Sequence, residues 1–185
     1  MVKINNLTVS FGENRVINNF TCHIKSGEKV CISGPSGKGK TTLFRTICGL
    51  EKNFEGDLTI RENTKIGVVF QDDVLLPWYS AKENVSIVST EEAAVKWLTA
   101  FGLADALDKK PNQLSGGMKR RVAIARACAF NPDVLILDEA FKGLDHGLKK
   151  QVIEKLKAEY QNKTIIFASH DKEEIEMFAS RIIEL

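Results

Sequence analysis

Gly34-Pro35-Ser36-Gly37-Lys38-Gly39-Lys40-Thr41 is the stretch of this sequence that decides the fold. It follows a short apolar segment over 29–33 and precedes a helix-like segment over 40–47 that Gly49 would end. The stretch fits G-x-x-x-x-G-K-[ST], in which a glycine-rich loop between a strand and a helix turns its backbone N–H groups toward a phosphate. It therefore predicts a nucleotide-binding loop. The alternative is a glycine-rich turn that happens to contain a lysine.

Within this loop, two side chains have separate predicted tasks. Lys40 is expected to reach the β- and γ-phosphates of a nucleotide, and the hydroxyl of Thr41 is expected to bind Mg²⁺. The predicted nucleotide-binding residues are the loop and the threonine after it: Gly34, Pro35, Ser36, Gly37, Lys38, Gly39, Lys40, Thr41 and Thr42.

A second element is the run Val134–Leu137, which is followed by Asp138 and Glu139. The run is apolar on both faces, which is typical of a strand covered on two sides. A carboxylate at its end would lie at the edge of the sheet where ligands of such folds bind. We expect Asp138 to hold Mg²⁺ and Glu139 to activate the attacking water as general base. Alone, such an acidic pair is also common at a helix N-terminus.

The remaining pattern predicts a single α/β domain over 1–185. Buried strands that alternate with helices imply a parallel sheet with helices on both faces. Expected strands cover 4–11, 17–24, 29–33, 134–137, 164–168 and 181–185, and 57–60 with 65–70 resembles a hairpin closed by a turn at 62–64. Expected helices cover 40–47, 80–87, 90–101 and 117–130, with one more around 148–156 and one from 171. Ser89 and Glu92 have capping-box spacing for the third helix.

These elements divide the predicted domain into parts. We assign 1–79 and 114–185 to a P-loop NTPase core with a parallel sheet and an N-terminal antiparallel β layer. A compact helical subdomain is assigned to about 80–113.

The segment Leu114-Ser115-Gly116-Gly117-Met118 precedes a helix. Ser115, Gly116 and Gly117 at a helix N-terminus would form a second anion site. One triphosphate needs one such cradle, so the second predicts a head-to-tail dimer in which it closes over the partner's γ-phosphate. The alternative is a capped helix start, because a serine also serves as N-cap. The basic run that follows, Lys119–Arg121, is interpreted as a solvated helix face.

With these motifs in this order, the chain resembles an ATP-binding-cassette (ABC) ATPase along its whole length. The resemblance implies ATP as the nucleotide and further site residues. Gln71, after Val68-Val69-Phe70, matches the Q-loop residue that senses Mg²⁺ and the γ-phosphate. His170 matches the switch histidine that contacts the γ-phosphate, and Phe11 matches the aromatic residue that stacks on adenine. The predicted catalytic residues are thus Glu139, His170 and Gln71, and the predicted metal ligands are Thr41, Gln71 and Asp138.

Three features bear on how closely the chain follows the family. Met118 stands where the family most often has glutamine, and we expect activity to be tuned by that change. The segment Lys142-Gly143-Leu144-Asp145 matches the D-loop of the family, in which a small residue is usual at the position of Lys142. The charge of Lys142 could weaken closure of the dimer or pair with an acidic partner. The tripeptide Leu76-Pro77-Trp78 is similar to the branch that imports nitrate, sulfonate and taurine.

The composition of the 185-residue chain sets the location expected for the protein. Lys and Arg exceed Asp and Glu only by 26 to 24, so no pull toward nucleic acid follows. No run approaches the ~18 apolar residues of a membrane span, and no signal peptide is recognisable at the start. We therefore expect a cytoplasmic protein that is peripheral on the membrane through a permease partner, with a solute-binding protein in the full system. Cys22, Cys31, Cys48 and Cys128 are interpreted as free thiols.

Two other functions remain open at this stage. One is an ABC ATPase that works on DNA or ribosomes, although the coiled-coil insertion or second cassette of such proteins is missing from the sequence. The other is a regulatory module that binds nucleotide without turnover.

Overall fold

A computed structural model describes residues 1–185. The strands are β1 (Val2–Phe11), β2 (Asn14–Ile24), β3 (Lys29–Ser33), β4 (Glu55–Ile60), β5 (Ile66–Val69), β6 (Val134–Asp138), β7 (Thr164–Ala168) and β8 (Arg181–Glu184). The α-helices are α1 (Lys40–Ile47), α2 (Ala81–Ser86), α3 (Glu91–Ala100), α4 (Gly116–Ala129), α5 (His146–Glu159) and α6 (Lys172–Phe178). Short 3₁₀ helices cover Ala104–Ala106 and Pro111–Gln113.

Two sheets organise the chain. A five-stranded sheet has the order β5-β6-β7-β3-β8, and all its pairings are parallel. A three-stranded sheet has the order β2-β1-β4 with antiparallel pairings. The predicted fold class, a P-loop α/β domain with an antiparallel β layer, is confirmed.

The central strands of the parallel sheet are covered on both faces, as their sequence predicts. Every residue of β6 and β7 is buried. Because strand side chains alternate, Leu135 and Leu137 join the core under the helices α2 to α6, while Val134 and Ile136 join the core shared with the antiparallel sheet and α1. The carboxyl ends of β3, β6 and β7 consequently meet at one edge, where the candidate site lies.

The predicted hairpin over 57–70 was wrong. β4 pairs with β1 in the antiparallel sheet (Val2 opposite Ile60), whereas β5 runs parallel to β6 (Ile66 opposite Val134). Two neighbouring strands with a short turn between them suggest a hairpin, but tertiary packing separates them. β5 lies so close to α4 that a Cβ on Gly67 would be 3.0 Å from the carbonyl oxygen of Ala127. β5 is an edge strand of the parallel sheet, and its single strand partner is β6.

In the helical segment between β5 and β6, α2 and α3 pack against α4. The predicted cap of α3 was wrong by one residue, since Thr90 and not Ser89 is its N-cap, with Thr90 Oγ1 accepting from Ala93 N at 3.2 Å. The Ser89 hydroxyl instead donates to Val85 O at 3.1 Å and so serves the end of α2. A capping box does form at α2, between Ser80 and Glu83. None of the helices has the length and apolar character needed to cross a bilayer.

Candidate functional site

The loop between β3 and α1 folds around Lys40, the first residue of α1. Lys40 is buried, and its Nζ donates to the carbonyl oxygens of Gly34 at 2.8 Å and Pro35 at 2.9 Å. Gly39 has φ 94°, and a Cβ there would meet Val16 Cγ1 at 2.9 Å, so only glycine fits. At Gly37, with φ 78°, no atom lies within 4 Å of such a Cβ, which leaves that part of the loop open to a ligand.

A cleft of about 320 Å³ lies over this loop. It brings together most of the residues that the motifs single out. Its lining comprises Val16, Ser36, Gly37, Gly39, Lys40, Thr41, Thr42, Gln71, Asp138, Glu139 and Lys142. Of these, only Val16 was not singled out from the sequence.

Asp138 ends β6 at the floor of the cleft and is 2% exposed. Its Oδ2 accepts a hydrogen bond from Thr41 Oγ1 at 2.5 Å, which links the phosphate loop to the acidic strand. Burial raises the pKa of the Asp138 carboxyl; the Thr41 hydrogen bond opposes that shift, and the neighbouring charge of Glu139 adds to it. A buried carboxylate beside a hydroxyl is a pair of hard oxygen donors of the kind that Mg²⁺ prefers.

Glu139 follows in the left-handed backbone region, with φ 48°. A non-glycine residue rarely adopts this conformation, and such strain is concentrated at functional sites. The backbone N–H of Glu139 donates to Ala168 O at 3.1 Å, which ties the residue to the end of β7. Its carboxylate is flanked by His170 Nε2 at 3.5 Å and Lys142 Nζ at 3.3 Å.

His170 lies on the loop after β7, beside the cleft and in contact with two of its lining residues. Its Nε2 is 3.5 Å from Lys40 Nζ as well as 3.5 Å from Glu139 Oε1. The side chain is 47% exposed, so a ligand in the cleft can reach it. The histidine therefore stands between the phosphate-loop lysine and the acid that follows β6.

The two arginines after the glycine segment are not a solvated face, and that prediction was wrong. Arg120 and Arg121 are each 8% exposed. Arg120 donates to the carbonyl oxygens of Phe70, at 2.7 Å, and Gln71, and it pairs with Asp73 at 3.1 Å. Burial raises the pKa of Asp73, and the charge of Arg120 opposes this shift.

Arg121 of α4 likewise holds a neighbouring segment in place, in this case the end of α3. Its Nη1 donates to the carbonyl oxygens of Phe101 at 2.8 Å and Gly102 at 3.2 Å, where α3 ends. Sequence reasoning missed that both arginines anchor neighbouring loops, and that Arg120 holds the loop of Gln71. The available signal was the run over 122–129, which is apolar except for Arg126 and marks α4 as a buried helix.

The second glycine segment lies apart from this cleft. Ser115 caps α4 by accepting from Met118 N at 3.3 Å, and neither it nor Gly116 or Gly117 lines the cleft. A Cβ on Gly116 would meet no atom within 4 Å, so this helix start is open to solvent. The chain alone thus brings together the phosphate loop, Gln71, Asp138, Glu139 and His170, but not the second segment.

Two other residues from the sequence analysis have definite places. Phe11 ends β1 and is 52% exposed, outside the lining of the cleft. Lys142 has found an acidic partner within its own chain, since its ammonium pairs with Glu139.

A phosphate loop, an acidic strand end and a histidine on the loop after the neighbouring strand define this chain as a P-loop nucleotide-binding domain. Comparison with known proteins makes the class more specific. The profile described as ABC transporter matches residues 17–142. The chain therefore belongs to the ABC transporter family, and the resemblance inferred from its motifs is confirmed at that level.

Among curated relatives, the chain is 39% identical to the spermidine/putrescine import ATP-binding protein PotA of Mannheimia succiniciproducens, with 100% of this chain and 55% of that protein covered. It is 38% identical to the bicarbonate transport ATP-binding protein CmpD of Synechocystis, with 93% and 68% covered. The chain thus spans about half the length of the PotA relatives it matches.

A solved structure gives the fold match. The dimeric post-hydrolysis state of the ATP-binding cassette MJ0796, bound to ADP and Pi, aligns with a TM-score of 0.91 and 34% identity. The alignment covers 100% of this chain and 94% of that one.

Proposed function

We propose that this chain binds and hydrolyses ATP as the motor subunit of an ABC transporter. The observation that carries the proposal is the Glu139 carboxylate, which lies next to His170 at the edge of a cleft floored by the phosphate loop. A base at that position can take a proton from a water that attacks the γ-phosphate. Lys40 and the loop N–H groups bind the phosphates, and His170 stabilises the charge that develops.

Mg²⁺ belongs to the proposal as the cofactor. Thr41, Asp138 and Gln71 all line the cleft with oxygen donors, and the Thr41–Asp138 contact of 2.5 Å brings two of them to one point. Their chemistry fits a small, hard cation. When bound, Mg²⁺ would neutralise phosphate charge, and the three side chains would hold it against the nucleotide.

Two copies would form the working unit. We infer a head-to-tail homodimer in which Ser115, Gly116 and Gly117 of each subunit close over the nucleotide in the other. Support comes from the open start of α4 and from the dimeric cassette described above. Adenine would stack on Phe11, whose side chain is half exposed.

Coupling to transport would use the segment near Gln71. We propose that the helical subdomain over about 80–113 and the loop before it face a membrane permease, because Val74 and Trp78 are 70% and 63% exposed there. Such exposed apolar side chains favour a partner. The protein would then be cytoplasmic and peripheral on the membrane, without a nucleic acid partner.

The relatives named for import favour an importer, and we propose that the full system also contains a solute-binding protein. The nitrate, sulfonate and taurine branch is the proposed substrate class, supported by Leu76-Pro77-Trp78 alone.

The test of this function is Glu139→Gln, with Glu176→Gln, an exposed glutamate of α6, as the matched control. We expect Mg-dependent ATP turnover to fall about 10²-fold or more, because the variant cannot accept the proton. ATP binding should persist and the dimer should accumulate, as measured by light scattering. Turnover like that of the wild type in Glu139→Gln would refute the assigned base, and a wild type without turnover, with or without permease, would favour a regulatory module.

A further inference from the structure

A cluster of charged side chains lies next to the His170 loop and has no part in the chemistry proposed above. Lys149 of α5 is at its centre, with its side chain only 16% exposed. Its Nζ pairs with Asp171 and, at 3.0 Å, with Glu174 Oε1. The Glu174 side chain is 6% exposed and that of Asp171 is 38% exposed, so one ammonium contacts one buried and one partly exposed carboxylate.

The cluster holds both neighbours of the histidine in the chain. Ser169 Oγ donates to Glu174 Oε2 at 2.5 Å and accepts from the backbone N–H of Asp171 at 3.0 Å. Asp171 is also the N-cap of α6, where its Oδ1 accepts from Glu173 N at 2.9 Å. Residues 169 and 171 are therefore both held through contacts that lead to Lys149.

His170 itself has no such anchor. Its ring nitrogen contacts only Lys40 and Glu139, each at 3.5 Å, and both belong to the nucleotide cleft. The direction of the imidazole must therefore be set by the backbone of the loop. A loop residue whose neighbours are held on both sides is restricted in its backbone, which is how a supporting shell positions a functional side chain.

Lys149 also connects this loop to a second region. Its backbone N–H donates to Asp145 O at 2.9 Å in the first turn of α5, and Asp145 caps that helix through Leu148 N at 3.0 Å. The turn before Asp145 touches the second glycine segment, because a Cβ on Gly117 would lie 3.4 Å from Gly143 O. The lysine thus joins the loop of His170 to the turn that packs on the second glycine segment, at the start of α4.

Ionisation in the cluster agrees with this geometry. The hydrogen bond with Asp171 is the main reason that the pKa of Lys149 is raised, and the same contact lowers the pKa of Asp171. Both groups are charged at neutral pH, and each stabilises the charge of the other.

We propose that Lys149 is a positioning residue for His170. By bridging Asp171 and Glu174 it holds the loop that presents the imidazole to the nucleotide, and it transmits movement of the turn at 142–145 to that loop. The inference rests on the proposed function, in which His170 faces the γ-phosphate.

The experiment compares Lys149→Met and Lys149→Arg in the full-length protein, with Lys150→Met as the matched control. Lys150 is the next residue of the same helix, is exposed and has no ion pair. We expect Lys149→Met to lower kcat for ATP about 10-fold with less than a twofold change in KM. Lys149→Arg should recover most of the rate, and Lys150→Met should match the wild type.

Dependence on His170 separates positioning from general damage. In a His170→Ala background, Lys149→Met should cause no further loss of kcat, because the group it positions is gone. The chain has three histidines, so the ring signals of His170 can be identified by NMR. Lys149→Met should shift or broaden those signals and leave the signals of His23 unchanged.

Three results would overturn the proposal while leaving the ATPase function intact. They are a wild-type kcat in Lys149→Met, an equal loss in the His170→Ala background, and unchanged His170 signals. If Lys149→Met does not fold, Glu174→Gln, which weakens the same contacts, takes its place with the same expectations. Absence of turnover in the wild type would instead contradict the proposed function, so the two failures are distinguishable.

Discussion

The chain contains two glycine-rich helix starts, and they differ in what surrounds them. At the first, before α1, Lys40 donates to two loop carbonyls, Thr41 contacts the buried Asp138, and His170 is within 3.5 Å of the lysine. At the second, before α4, Ser115 provides one capping contact and Gly116 has no neighbour within 4 Å of a Cβ position.

In the proposed dimer, this difference assigns separate tasks to the two glycine-rich helix starts. The first site contains Lys40, Glu139 and His170 within one chain, and we propose that this site binds the triphosphate. The second offers only backbone N–H groups and the positive end of a helix, which become useful when another molecule brings an anion to them. Stability should therefore depend on the first site, and association should depend on the second.

The largest expected effect comes from adding a negative charge at the second site. Gly116→Glu should reduce ATP turnover about 100-fold, since a like charge opposite a phosphate costs several kcal/mol. The free energy of unfolding should stay within about 0.5 kcal/mol of the wild type, because the position is open. Turnover and urea unfolding measure the two quantities.

Two controls accompany that variant. Gly116→Gln has the same size without the charge and should lose less turnover. Gly39→Ala alters the first site and should lower the free energy of unfolding by about 2 kcal/mol, since φ is 94° and the Cβ would meet Val16 at 2.9 Å. If Gly39→Ala kept the free energy of unfolding of the wild type while Gly116→Glu lowered it, the proposed difference between the two sites would be contradicted.

A smaller effect is expected at Asp138, because the buried carboxylate destabilises the folded protein when no cation is bound. Burial raises the pKa of the Asp138 carboxyl. The carboxyl proton is therefore bound more tightly in the folded protein than in the unfolded chain. Stability contributed by this group is therefore present at low pH, and it is lost as the pH rises from the ordinary Asp value through the raised one. Asp138→Asn should be more stable than the wild type at pH 7 without Mg²⁺ or nucleotide, and that difference should shrink toward about pH 4.

Urea unfolding across this pH range measures the difference, and turnover should fall in the same variant. If Asp138→Asn is less stable than the wild type at pH 7, the Asp138 carboxylate stabilises the folded protein, and the prediction is wrong.

The smallest effect is expected at Lys142, on the turn between the two sites. Its ammonium is 68% exposed and 3.3 Å from Glu139, and an exposed ion pair contributes about 1 kcal/mol at most. Lys142→Ala should release the carboxylate and raise kcat by up to about fivefold, whereas Lys142→Arg should resemble the wild type. A fall in kcat for Lys142→Ala would mean that the lysine assists the reaction.

Local patterns predicted most of the residues that line the cleft, because these residues follow the ends of strands in one sheet. The pattern around Lys40 and the apolar run before Asp138 each identify a strand end, and parallel strands bring such ends together. The capping of α3 and the pairing of β4 and β5 were not predictable in this way. Thr90 and Ser89 are both good caps, and the choice depends on where α2 ends.

By itself, the sequence determined the fold class, the family and the residues gathered at the cleft, since strand order and glycine-rich turns are encoded over a few neighbouring positions. Only the tertiary structure decided that β4 and β5 enter different sheets, that Arg120 and Arg121 are buried anchors, and that Lys149 lies behind His170. Each of these depends on contacts between segments far apart in the chain. A charged side chain has the same appearance in a sequence whether water or a distant carbonyl satisfies it.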